Sequence, residues 1–189
     1  GFFSLCYFTH FPNAIDFSWI SSPLIDPASK VSWLKRSLAT MIERLHPQFT
    51  LRSGVTSHLC KRDEAEIAAT RADDLVHRQM TVRLGAILVN AARALQQSAH
   101  QMHPELKLLM THGGEDLICP PAFSRAFFDR LPCQGKEYAL FQGLLHEPFN
   151  DIGKEDFYER LESWIIDLGP SLGESSLYAR NAQILGNAA

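Results

Sequence analysis

The chain has 189 residues, 46% of them hydrophobic, enough for one domain with a real core. A net charge of -3 gives no electrostatic reason to expect a nucleic-acid partner, and no apolar run is long enough to span a bilayer. The four cysteines (Cys6, Cys60, Cys119 and Cys133) are widely spaced with no C-x-x-C, which suits a reducing cytoplasm better than a disulfide framework or a zinc site.

The first buried strand is expected over Ala14–Ile20 (AIDFSWI), followed by the turn-rich SSPLIDP. About eighty residues without a convincing strand come next. In them Leu34, Leu38, Met41, Ile42 and Leu45 share a helical face, as do Met80, Leu84, Ile87, Leu88 and Ala91. The charged run KRDEAEIAATRADD (Lys61 to Asp74) reads as a solvated face and loop. A stretch this long is more than a simple crossover. It reads as a helical insertion of the lid or cap kind, with ordinary bundle packing as the alternative. A second strand is expected over Leu106–Thr111, then HGGEDLICPP, then a helix over Ala122–Leu131 opened by Pro120 and Pro121. A third strand over Glu137–Phe141 leads into QGLLHEPFND. The last helix, Asp156–Leu168, puts Phe157, Leu161, Trp164, Ile165 and Leu168 on one face. The tail after Gly169 is small and polar and reads as loosely ordered.

Strands alternating with helices make a parallel sheet covered by helices, with the ligand site beyond the C-terminal strand ends. Asp116 and His146 both fall there. In acyl transfer a carboxylate fixes the tautomer of an imidazole, which takes a proton from a serine hydroxyl and returns it to the leaving group. On spacing alone two readings stay open: a catalytic pair, or a turn aspartate beside a structural histidine. His112 stands just before the glycine turn, at the site's edge. A zinc reading of His146-Glu147 fails, because Asn150 stands where H-E-x-x-H needs histidine and Pro148 breaks a helix there.

THGGEDLICPPAFSRAFFDRLP closely resembles the acid-bearing segment of monoacylglycerol lipases and lysophospholipases of the α/β-hydrolase fold. YALFQGLLHEPFND resembles their histidine segment, ISSPLIDP the strand exit into their cap, and RDEAEIAATRADDLVHRQMTVRLGAIL the cap itself. The resemblance runs from Gly1 to about Leu168. It implies an α/β fold: the C-terminal part of an α/β-hydrolase with a helical cap. Residues 1–27 and 103–168 become the core, 28–102 the cap or lid, and 169–189 a flexible tail. It also implies that Asp116 is the acid and His146 the base of a Ser-His-Asp triad, a mechanism needing no metal or organic cofactor.

The pattern GPSLG (Gly169 to Gly173) matches G-x-S-x-G, yet Ser171 is a poor nucleophile. The triad of this fold runs serine, acid, histidine along the chain, and its serine sits between a strand and a helix. Ser171 comes after both partners and after a helix. GFFSLCYF resembles the stretch on the C-terminal side of the family's G-H-S-x-G, so Phe2 to Phe8 is expected to open a helix under the sheet. The nucleophile is expected two or three residues before Gly1, and the first strands upstream of it. Ser4 falls inside that helix, so its role is packing or surface. The chain alone is therefore expected to be inactive.

An apolar cap shields an acyl chain and excludes water, which favours a monoacylglycerol, a lysophospholipid or another single-chain ester. A small aryl ester and a peptide amide stay open. The expected location is cytoplasmic, with peripheral membrane contact if cap faces such as Leu34, Leu38 and Met41 are exposed. The alternative is a non-catalytic α/β-hydrolase-like protein that binds a lipid or other ligand.

Overall fold

The computed structural model describes residues 1–26 and 41–169. Leu34, Leu38, Ser171 and the tail from residue 170 lie outside the described residues. Helix α1 spans Phe2–His10 and strand β1 spans Phe17–Ser21. The expected start at Ala14 is three residues early. Ala14 N–H bonds to Phe11 O at 3.0 Å, so the chain is still turning there.

The segment from residue 41 to 98 is helical in the main, with two strands the sequence did not announce. Residues 41–45 are helical. Strand β2 (Thr50–Arg52) pairs antiparallel with β3 (Gln79–Thr81). At three residues each, with β2 exposed throughout, neither strand is long enough to show alternation. Helices α2 (Ser57–Cys60) and α3 (Glu64–Ala72) lie between them. The Asp63 carboxylate caps α3, accepting from Ala65 N–H and Glu66 N–H.

Helix α4 (Val82–Ser98) continues directly from β3. Its expected stripe is kept in part: Leu88 and Ala91 pack against the core. Leu84 and Ile87 are exposed, Met80 belongs to β3, and Ala92 and Leu95 are buried with Ala99. The reason is the partner surface. The C-terminal half of α4 packs on α1, where Phe2, Leu5 and Phe8 turn inward.

The main sheet is completed by β4 (Lys107–Gly113) and β5 (Lys136–Phe141), separated by helix α5 (Pro121–Asp129), with α6 (Lys154–Leu168) after them. Strand order is β1-β4-β5, all parallel, with Ser21 opposite Thr111 and Gly113 opposite Phe141. β4 is central and buried on both faces, as its unbroken apolar run requires. Leu108 and Met110 point into the cluster containing α1, α4 and α5. Leu109 points the other way, onto Trp164 and Leu168 of α6. Ile165, expected on the buried face of α6, is half exposed, because that face narrows to Phe157, Trp164 and Leu168. Among the described residues no helix is long and apolar enough to cross a membrane.

Candidate active site

Strand β4 delivers Asp116. Its last residue, Gly113, begins a tight turn in which Asp116 N–H returns to Gly113 O at 3.3 Å. His146 lies on the loop after β5, which turns at Gly143 with φ +78, a left-handed value that suits glycine. The two loops are laced together. Gly114 N–H donates to Phe141 O at 2.8 Å, and Glu115 N–H to Leu144 O at 3.0 Å. A Cβ on Gly113 would stand 1.9 Å from Leu145 O, so only glycine lets the loops come this close.

Asp116 is buried, and both its oxygens are used. Oδ1 accepts from Ile118 N–H at 2.8 Å and Cys119 N–H at 2.9 Å. Oδ2 lies 2.7 Å from His146 Nδ1 and 3.1 Å from His112 Nε2. Burial by itself pushes the Asp116 carboxyl up. The bonds from His112, His146 and the Cys119 N–H outweigh it and hold the group well below the usual carboxylate range. For His146 burial pushes down, while the bond and charge of Asp116 and the nearby Cys119 thiol push up. The net result is above the ordinary 6.5. The contact therefore stabilises the imidazolium whenever the ring takes up a proton. With Nδ1 on the carboxylate, Nε2 is the nitrogen left to exchange a proton with a reacting group.

The charged run from Lys61 to Asp74 is exposed for the most part, as a solvated face should be, but its first residues are drawn into the site. Lys61 is buried and pairs with Glu147, the residue after His146, at 2.9 Å. That contact and Asn150 hold the Glu147 carboxyl down against the upward push of burial. Arg62 N–H donates to Asp151 Oδ1 at 2.6 Å, and its guanidinium bonds to Gly143 O and, at 2.5 Å, to Glu115 Oε2. Asp151 is fully buried, and its carboxylate also accepts from Leu145 N–H at 2.9 Å and Ile152 N–H at 3.0 Å. Glu147 N–H returns to Cys60 O at 2.8 Å. Residues 60–62 therefore fasten the segment between β1 and β4 onto both loops. One signal was legible: Asp63 with Glu66 three residues later is a helix-start pattern. The burial of Lys61 left no trace in the sequence.

Asp116, Cys119 and His146 also bring three metal-ligand atoms within 4.8 Å of one another. A metal held there would compete with the Asp116–His146 hydrogen bond.

The family model described as serine aminopeptidase, S33 (Hydrolase_4) matches residues 1–153. The chain belongs to this family of α/β-hydrolases. It is 28% identical over 162 residues to a monoacylglycerol lipase of Mycolicibacterium smegmatis, covering 85% of this chain and 56% of that protein. It is 31% identical over 147 residues to an abhydrolase domain-containing protein of Dictyostelium discoideum, covering 77% of this chain and 16% of that one. Among solved structures, the monoacylglycerol lipase of Paleococcus ferrophilus superposes with a TM-score of 0.77 at 26% identity, over 87% of this chain and 63% of that chain. The chain thus spans less than two thirds of the length of each of these relatives. Their likeness bears out the α/β-hydrolase, monoacylglycerol-lipase-like reading of the sequence.

Proposed function

We propose that this chain supplies the acid, Asp116, and the base, His146, of a Ser-His-Asp triad that hydrolyses carboxylic esters. The observation that carries the reading is the 2.7 Å contact between His146 Nδ1 and the buried Asp116 Oδ2, at the C-terminal edge of a parallel sheet. Asp116 fixes the tautomer, and Nε2 takes the nucleophile's proton and passes it to the leaving alcohol. The nucleophile belongs to this reading as the serine of a G-x-S-x-G before Gly1, supported by the likeness of GFFSLCYF to the stretch that follows that motif in the family. Residues 1–27 and 103–168 act as the core and 28–102 as the cap. The relatives named as monoacylglycerol lipases support a single-chain lipid ester, monoacylglycerol or lysophospholipid, as the substrate. Peripheral membrane contact through the cap draws support from its outward apolar side chains, Leu45 at 67% and Leu75 at 84% exposure. Liposome flotation of the complete protein tests that contact.

The decisive experiment expresses the coding sequence together with its portion upstream of Gly1 and assays p-nitrophenyl esters and monoacylglycerols. Asp116→Asn and His146→Ala are each expected to lower kcat by about 10⁴-fold, the cost of a wrong or missing imidazole. Turnover that survives His146→Ala, or an upstream sequence without the serine elbow, overturns the triad. The chain would then be a ligand-binding relative of the enzymes.

A further inference from the structure

Asp116 contacts two histidines, and the triad uses only one. His112, near the end of β4, is fully buried. Its Nε2 lies 3.1 Å from Asp116 Oδ2, the oxygen that His146 also meets, and 2.7 Å from the Cys119 carbonyl oxygen. Both neighbours are acceptors, so Nε2 carries a proton in either charge state of the ring. On the far side Nδ1 lies 2.8 Å from Ser124 Oγ. That oxygen in turn lies 2.8 Å from the Tyr138 hydroxyl and 2.9 Å from the Pro121 carbonyl. The ring is thus gripped at both nitrogens by groups from the acid loop and from α5. A histidine serving only to fill the core could meet these needs with backbone partners. This one is aimed at the atom that orients the base.

We infer that His112 is a positioning residue of the triad: its Nε2–H holds Asp116 Oδ2 and divides that oxygen's charge between two imidazoles, while Ser124 fixes the ring's tautomer. The inference rests on the proposed roles of Asp116 and His146. The Oδ1 bonds to Ile118 and Cys119 and the Oδ2 bonds to the two rings lock the carboxylate against rotation. The second donor also weakens the pull of Oδ2 on the His146 imidazolium, because hydrogen bonds to a charged acceptor share its charge. The other groups facing the pair are the Cys119 thiol beside His146, Glu147 with Lys61, Glu115 with Arg62, and the Cys60 thiol near Glu147. Beyond Ser124 stands Tyr138, with Arg125 over its ring at 5.2 Å. None of these reaches Asp116 Oδ2 with a hydrogen bond, so none replaces His112 when it is removed.

The test is the pH profile of kcat/KM for p-nitrophenyl butyrate, in the complete protein, for His112→Leu, His112→Gln and Ser124→Ala. His112→Leu is expected to move the acid limb to higher pH by about one unit, because His146 then has the carboxylate to itself. KM is expected to stay within about twofold, since the ring acts through Asp116 and not on substrate. His112→Gln, whose amide N–H reaches the Nε2 position, returns the limb toward wild type. Phe127→Leu, a core change with no contact to the pair, leaves the limb in place. If His112→Leu does not fold, Ser124→Ala is read by the low-field proton resonance of His146 Nδ1–H, which is expected to shift. An unmoved limb in His112→Leu, or in its absence an unmoved resonance in Ser124→Ala, overturns the inference while Asp116→Asn remains inactive. If Asp116→Asn retains turnover, the triad itself is the failed step.

Discussion

Around Asp116 and His146 the backbone and side-chain polar groups are joined pair by pair, whereas along residues 41–87 large apolar side chains face outward. Asp116 takes four donors and Asp151 three. Between residues 41 and 87, Met41, Leu45, Phe49, Leu51, Leu75, Val76, Leu84 and Ile87 are all exposed. Saturated buried carboxylates fix atoms in place. Exposed apolar side chains fix nothing, but they leave a surface ready to meet another apolar surface. Positional accuracy is concentrated where the proposed triad would move a proton, and adaptability where the proposed substrate or membrane would arrive.

The contrast can be broken first at Gly113. A Cβ there collides with the backbone of the base loop, where no side chain can yield. Gly113→Ala is expected to cost about 4 kcal/mol, in the range kept for steric conflicts of this kind, measured by urea unfolding. A neutral result would show that the loops need not approach so closely. Next is Asp151→Ala, which strands the amides of Arg62, Leu145 and Ile152. At about 1 kcal/mol for each unpaired donor, the expected loss is about 3 kcal/mol. A loss under about 1 kcal/mol would mean that water replaces the carboxylate.

A smaller effect depends on pH. Asp116 is held below its unfolded value of 3.8, so its contribution is present above that pH and is lost as pH falls through the folded value. His146 is raised above 6.5, so its contribution is full below 6.5 and is lost as pH rises through the folded value. The pair stabilises most between about pH 4 and 6.5. Stability is expected to fall by about 1 kcal/mol between pH 6 and pH 9 in the wild type and to stay flat in His146→Ala. The smallest effect belongs to the outward surface. Leu75→Ser is expected to change stability by less than about 0.5 kcal/mol while weakening vesicle association. A large loss of stability there would show that Leu75 is packed after all.

Periodicity made β4, β5, α5 and α6 legible, because buried parallel strands and one-sided helices write their environment into the residue order. The pairing of Asp116 with His146 was legible through resemblance and topology together. What escaped was set by partners far along the chain. Leu84 and Ile87 look like core, but the core cluster that includes α1 takes in only the later turns of α4, from Leu88 on. Lys61 looks like a surface lysine until Glu147 arrives beside it. β2 and β3 are too short for a pattern of their own and exist as strands because they pair with each other.

The contact between Arg62 and Asp151 joins residues 89 apart, and it has a consequence for the order of assembly. Closing so long a loop is among the slow steps of folding, since its entropy is lost before any contact repays it. During synthesis the Lys61–Arg62 segment leaves the ribosome well before Glu147 and Asp151. The base loop gains its fastenings only when they emerge. On this chain the loop that carries His146 can be fastened to residues 60–62 only after almost the whole of the sheet has been made.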